Sequence, residues 1–260
     1  MDLVGLAQGI GIGLASGAFA GFLGVSSGGM LVPLAALVLG VDQFIAQGAS
    51  LIVQAVPVGL SGVRQYSRAG HGVPWRWLVI ASAGFLLGGL IGALATGLVS
   101  DTALRWTFVA YLVALLALVI FGKKEPPGGE TEEGDGPSTF ALAPTGLAGG
   151  LSSGFLGIGG GLAITAVGAG LLGIRQHKAQ MIGLAISTLP LTAPSALVYL
   201  QSGRPMPWWA IAGMLPGLWL GTLLGAKAAT RVAPERLKLA LAVLIGIMAA
   251  LMAAKAWTAP

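Results

Sequence analysis

Inside long apolar runs, this sequence places its polar chemistry in two glycine-rich stretches and one row of amides. The first stretch, Gly21 to Gly29, ends in Ser26, Ser27, Gly28 and Gly29. The second, Gly154 to Gly161, ends in Gly159, Gly160 and Gly161. Glycines at this density weaken a continuous helix by roughly 1 kcal/mol apiece, so each stretch reads as a break. A helix that restarts at Ser27 or Gly28 exposes backbone N–H groups and the positive end of its dipole, which suit an oxyanion. A second helix restarting near Gly160 would aim at the same point if the two segments oppose each other. Close helix packing is the competing reading, because small residues also let helices approach. That reading accounts for Gly84, Gly88 and Gly92, spaced by four on one face, better than for the paired clusters.

The amides follow helical spacing. Gln43, Gln47, Ser50, Gln54 and Ser61 fall along one face, and Gln176, Gln180, Gly183, Ser187 and Pro194 repeat the spacing later. An amide facing lipid is costly, so these groups face the interior or a pathway. Interhelical hydrogen bonds, typically worth about 1 kcal/mol, are the plainer explanation. Gln47 and Gln180, near the two breaks, are read as ligand contacts together with Gln54 and Ser187. Gln43 and Gln176, at segment starts, are read as caps. Pro57 and Pro190 should kink or unwind their helices. The carbonyls freed there, near Gln54, Ser187 and Thr188, suit a coupling cation or neighbouring donors.

Charge excludes several kinds of chemistry. The chain has 260 residues, 55% hydrophobic and 9% charged, with no cysteine and two histidines. No Asp or Glu falls deep in an apolar run, which leaves no carboxylate proton relay. No nucleophile–base pair or metal-ligand cluster appears, and the glycine runs lack the lysine of a phosphate-binding loop. The reading is therefore not an enzyme, with no cofactor and no metal. A net charge of +5 does not indicate nucleic acid here, because Lys and Arg in such a chain mark cytoplasmic loops.

A soluble domain carries about 25% charged residues, so this chain has too little polar surface to face water. The apolar runs show no strand alternation, and the fold class is an all-α polytopic membrane protein. The runs fall at about 3–22, 28–40, 43–66, 74–99 and 102–121, then at 141–155, 160–173, 176–199, 207–230 and 236–256. The runs 28–40 and 160–173 are short for a span, which needs about 20 residues. Trp75, Trp208 and Trp209 read as interfacial anchors. The opening Met1-Asp2-Leu3 has no basic region, so the first run is expected to remain a span.

An offset of 133 residues, without gaps, aligns the two halves: Gly17, Gly21 and Gly24 fall on Gly150, Gly154 and Gly157. Gln43 and Gln47 fall on Gln176 and Gln180, and Pro57, Tyr66, Pro74 and Trp75 fall on Pro190, Tyr199, Pro207 and Trp208. The domains are then a first transmembrane repeat, 1–121, a flexible cytoplasmic linker rich in Pro, Gly and acids, 122–140, and a second repeat, 141–260. Arg64, Arg68, His71 and Arg76 crowd one loop of the first repeat, where the second has only Arg204. The following loop carries Asp101 and Arg105 in the first half but Lys227, Arg231, Arg236 and Lys238 in the second. The positive-inside rule therefore predicts inverted repeats with both termini outside, against which only Lys255 counts.

Gly24-Val25-Ser26-Ser27-Gly28-Gly29-Met30-Leu31-Val32-Pro33 resembles the Gly-x-Gly-Gly-Gly-aromatic-x-x-x-Pro stretch of the sulfite exporter TauE/SafE family. Gly157 to Gly161 carries the same glycine run, and the two-fold repeat and polar linker are similar over essentially the whole chain. The resemblance implies a multi-pass permease of the bacterial inner membrane, carrying small sulfur-containing anions such as sulfite, thiosulfate, sulfonates or sulfoacetate. This sequence departs from the pattern at Ser26 and Ser27, where the family usually has glycines, and at Ala166, which replaces a proline. Hydroxyls at the break could tune the choice of anion. Besides the anion and membrane lipid, a coupling proton or cation and a homodimer stay open as partners. An anion channel or a membrane scaffold protein without transport is the alternative.

Overall fold

The computed structural model describes residues 2–23, 26–57, 73–121, 142–161, 163, 164, 167, 176–229 and 234–258. The predicted linker, the second part of the 43–66 run, and most of the 160–173 run lie outside these described residues, as do Arg64, Arg68, His71 and Arg175.

The described helices are α1 (Leu3–Leu23), α2 (Gly28–Val38), α3 (Gln43–Gln54), α4 (Trp75–Thr96) and α5 (Asp101–Phe121), then α6 (Leu142–Leu156), α7 (Gln176–Thr188), α8 (Ala193–Gln201), α9 (Trp208–Ala229) and α10 (Pro234–Thr258). No strand occurs among the described residues. Local chemistry sets several ends. The Asp2 carboxylate accepts from Gly5 N at 2.9 Å and caps α1. Pro234 opens α10, where a missing N–H costs nothing. Pro57 follows α3 closely, and a residue before proline is driven out of helical conformation.

Among the described residues, three helices are long and apolar enough to cross a membrane: Leu3–Phe22, Trp75–Thr96 and Trp208–Gly225. A fourth span is added if Met181–Thr188 and Ala193–Gln201 are taken together. That pair is bent by 53°, with Pro190 in the intervening turn. The sequence predicts a segment kinked or unwound at Pro190, where the chain makes two helices separated by a turn. With 11 residues, α2 reaches only roughly 16 Å at about 1.5 Å per residue, too short to cross. Large apolar side chains such as Leu87, Ile91 and Leu94 on α4, and Trp219 and Leu224 on α9, are exposed. Apolar faces of this size suit contact with lipid better than with water.

The tightest packing joins α1 to α9 and α4 to α6. Under the 133-residue offset, α1 becomes α6 and α4 becomes α9, so these two contacts exchange. Glycine makes both possible. A Cβ on Gly13 or Gly17 would strike the α9 backbone at Met214 or Leu218, and one on Gly217 or Gly221 would strike α1 at Ile10 or Leu14. The same holds between Gly84, Gly88 and Gly92 of α4 and Gly146, Gly150 and Gly154 of α6. Backbones at this distance gain dispersion contacts that helices gain from few other sources in lipid. The two pairs flank α2, α3 and α8, whose buried side chains (Leu31, Val32, Leu51, Tyr199) form the main core with Phe108 and Met214.

Candidate functional site

The centre of the molecule is a turn that only glycine makes easily. Gly157 N donates to Ser153 O at 2.7 Å and closes the end of α6. Gly157, Gly159 and Gly160 then take left-handed φ values of +72°, +77° and +63°, which side-chain-bearing residues adopt at a cost. This backbone turns carbonyls toward the first half of the chain. Ser50 Oγ donates to Gly157 O at 2.8 Å, and Gln54 Nε2 reaches the same carbonyl at 3.1 Å and Ser50 Oγ at 2.8 Å. Ser26 Oγ lies 2.9 Å from Ile158 O and 3.0 Å from Gln54 Oε1, and its single proton serves one of them at a time.

The start of α2 meets this turn. Ser27 is its N-cap, with no side-chain capping bond, and the first intrahelical bonds run from Met30 N and Leu31 N back to Ser27 O. The N–H groups of Gly28 and Gly29 precede those bonds and have no acceptor within the helix. A Cβ on Gly28 would collide with the backbone of Ile158, so the two glycine stretches touch directly. A Cβ on Gly161 would stand 3.3 Å from Ser26 Cβ and 3.5 Å from Ser187 Oγ. Ser187 itself donates to Gly183 O at 2.8 Å.

Beside the turn, Gln47 is fully buried, and a Cβ on Gly157 would meet its Cα at 2.7 Å. Gln47 Oε1 accepts from Tyr199 OH at 3.2 Å, and that hydroxyl also lies 2.9 Å from Gly154 O. Gln47 Nε2 has no hydrogen-bond partner. A buried amide donor left this way costs about 1–3 kcal/mol.

Ser26, Gly28, Gln47, Gln54, Gly159, Gly160, Gly161 and Ser187 thus come together from segments more than a hundred residues apart. Gly29 is buried in the first turn of α2, and Ser27 is half-buried. Pro57 and Pro190 are exposed and outside the cluster. Gln180 falls in α7, and its side chain lies outside the described residues. Sequence reasoning passed over Tyr199 and left Ser50 out of the site. The signal for Tyr199 was its register with Tyr66; for Ser50 it was its place on the amide face.

The sequence matches the model of the sulfite exporter TauE/SafE family over residues 9–252, nearly the whole chain. The chain belongs to the TauE/SafE family. It is a membrane transporter family, not one of enzymes. No curated protein and no solved structure gives a significant match. The Ser26 hydroxyl is used on Ile158 O and Gln54 rather than left open.

Two expectations about segment ends are corrected in this TauE/SafE protein. Gln43 does not cap α3: it is fully buried with neither amide atom partnered. The cap comes across from α5, where Asp101 Oδ1 accepts from Phe44 N at 3.1 Å. Arg105 is not a loop charge. It lies buried on the second turn of α5, with Nη2 at 2.6 Å from Asp101 Oδ2. Lys255, which counted against the predicted orientation, turns inward and donates to Ala36 O and, at 3.1 Å, to Val41 O. It ties the end of α2 to α10 and neutralises exposed carbonyls there.

Proposed function

We propose that this chain is a secondary transporter of small sulfur-containing oxyanions (sulfite, thiosulfate, a sulfonate or sulfoacetate) across the inner membrane. Residues 1–121 and 141–260 act as inverted repeats joined by the cytoplasmic linker 122–140. The exchange of α1–α9 for α4–α6 under the repeat offset supports that arrangement. The observation that carries the function is the meeting of Gly28 and Ile158 beside Gln47, whose Nε2 is buried and unpartnered.

The oxyanion accepts from Gln47 Nε2 and from the first-turn N–H groups of α2 at Gly28 and Gly29. The dipole of α2 stabilises its charge without a fixed cation. Binding through neutral donors favours release as well as capture. Ser26, Ser50 and Gln54 serve the site indirectly, by holding the Gly157–Ile158 carbonyls and so the shape of the turn. Gln180, Ser187 and Gly159 to Gly161 form the matching half. Alternating access follows if one repeat rocks against the other around this point. A coupling proton or cation is compatible with this scheme, and so is a homodimer.

Counterflow in proteoliposomes is the test, with radiolabelled sulfite, thiosulfate and sulfoacetate against acetate and phosphate controls. Saturable exchange of a sulfur oxyanion, lost in Gln47→Leu, is the expected result. Uptake indifferent to trans-substrate would replace the carrier with a channel. Exchange of acetate or phosphate alone would overturn the substrate class.

A further inference from the structure

A second set of unmet donors begins one helical turn before Gln47 on α3, where the starts of α3 and α5 pack together. Arg105 is 7% exposed. Its contact with Asp101 Oδ2, at 2.6 Å, is an ion pair without hydrogen-bond alignment, and Nε and Nη1 have no partner. The other carboxylate oxygen of Asp101 holds Phe44 N, so the start of α3 is fixed against Arg105. The residue before Phe44 is Gln43, fully buried with neither amide atom partnered.

A purely structural ion pair does not account for this. A buried pair repays its desolvation only when its geometry is good and the remaining protons are met. Here a guanidinium and a carboxamide, on two helices joined by the Asp101–Phe44 bond, both keep buried donors without acceptors. Arginine offers several N–H groups in a fixed plane, which suits an anion with more than one oxygen. The surroundings favour a negative ligand, since Lys255 and Arg204 join Arg105 against Asp42 and Asp101; Lys255 lies on Val41 O and Arg204 over the Phe44 ring at 4.5 Å.

We propose that Arg105 and Gln43 form a second oxyanion site, at the end of the molecule that loop charge predicts to face outside. It takes the same class of small oxyanion as the glycine turn, and in this it rests on the function proposed above. Asp101 competes with the anion for Arg105, so that the ligand is held loosely and passed on.

The test is equilibrium binding of radiolabelled sulfite to the purified full-length protein, with two sites per chain expected. Asp101→Asn keeps the oxygen that caps α3 and removes the competing charge. It should tighten one site by about tenfold, a gain that misfolding cannot imitate. Arg105→Lys should weaken that same site by about tenfold or more, and Gln47→Leu should remove the other. A single site abolished by Gln47→Leu and indifferent to Asp101→Asn would overturn this proposal and leave the central site standing. A single site tightened by Asp101→Asn and indifferent to Gln47→Leu would do the reverse. No sulfite binding at all would overturn both.

Discussion

Ser26 and Gln47 carry similar chemistry to opposite uses. The Ser26 hydroxyl is committed to Ile158 O and Gln54, whereas the Gln47 amide nitrogen is buried and open. Gln47→Leu, close in volume, should therefore abolish most transport while the protein still purifies as a monodisperse species, checked by counterflow and size exclusion. Tyr199→Phe acts differently. It strips the donor from Gly154 O and Gln47 Oε1, leaving buried acceptors unmet at a cost of about 1–3 kcal/mol. A lower thermal midpoint, with sulfite still bound, is the expected outcome. Sequence periodicity placed the glutamines inside, but it could not say which of them were already hydrogen-bonded. That depends on carbonyls contributed by the other half of the chain.

The two tightest helix pairs, α1–α9 and α4–α6, are held by glycine faces rather than by side-chain interlock. Gly150→Leu and Gly217→Leu would drive side chains into the backbones of Phe85 and Ile10. Overpacking typically costs about 1–3 kcal/mol, and backbone that cannot yield makes it larger. Both variants should lose the folded species on detergent extraction. Gly11→Ala, on the same α1 helix but with nothing near its Cβ, should fold normally and resist heat slightly better. The four-residue spacing of Gly84, Gly88 and Gly92 announced this packing. The partner did not follow from spacing, because a glycine face states that something approaches but not which helix.

Loops at 40–42, 97–100 and 202–206 gather at one end of the molecule, as the links Asp101–Phe44, Arg204–Phe44 and Lys255–Val41 require. The orientation read from loop charge puts Asp42, Asp101, Arg204 and the end of α10 on one side, which labelling can test. The chain has no cysteine, so single cysteines can report the side directly. A membrane-impermeant maleimide should label Ser100→Cys and Ser202→Cys in cells with an intact inner membrane, and Gly128→Cys only after that membrane is permeabilised. Labelling of all three from one side would remove the inverted arrangement.

The sequence alone determined the all-helical class with its apolar segments, the places of most of the described helices, and the 133-residue register of the two halves. These rest on local composition, helix propensity and repeated spacing, which need no knowledge of distant neighbours. The three-dimensional arrangement decided what each polar atom does. The left-handed glycines at 157, 159 and 160 turn two carbonyls toward Ser26, Ser50 and Gln54, which spends those donors and leaves Gln47 Nε2 buried without a partner. The same arrangement buried Gln43 and Arg105, which local sequence assigns to a cap and a loop. Burial and partner are properties of contacts between residues far apart in the chain, and an apolar run carries no record of which atoms will meet across it.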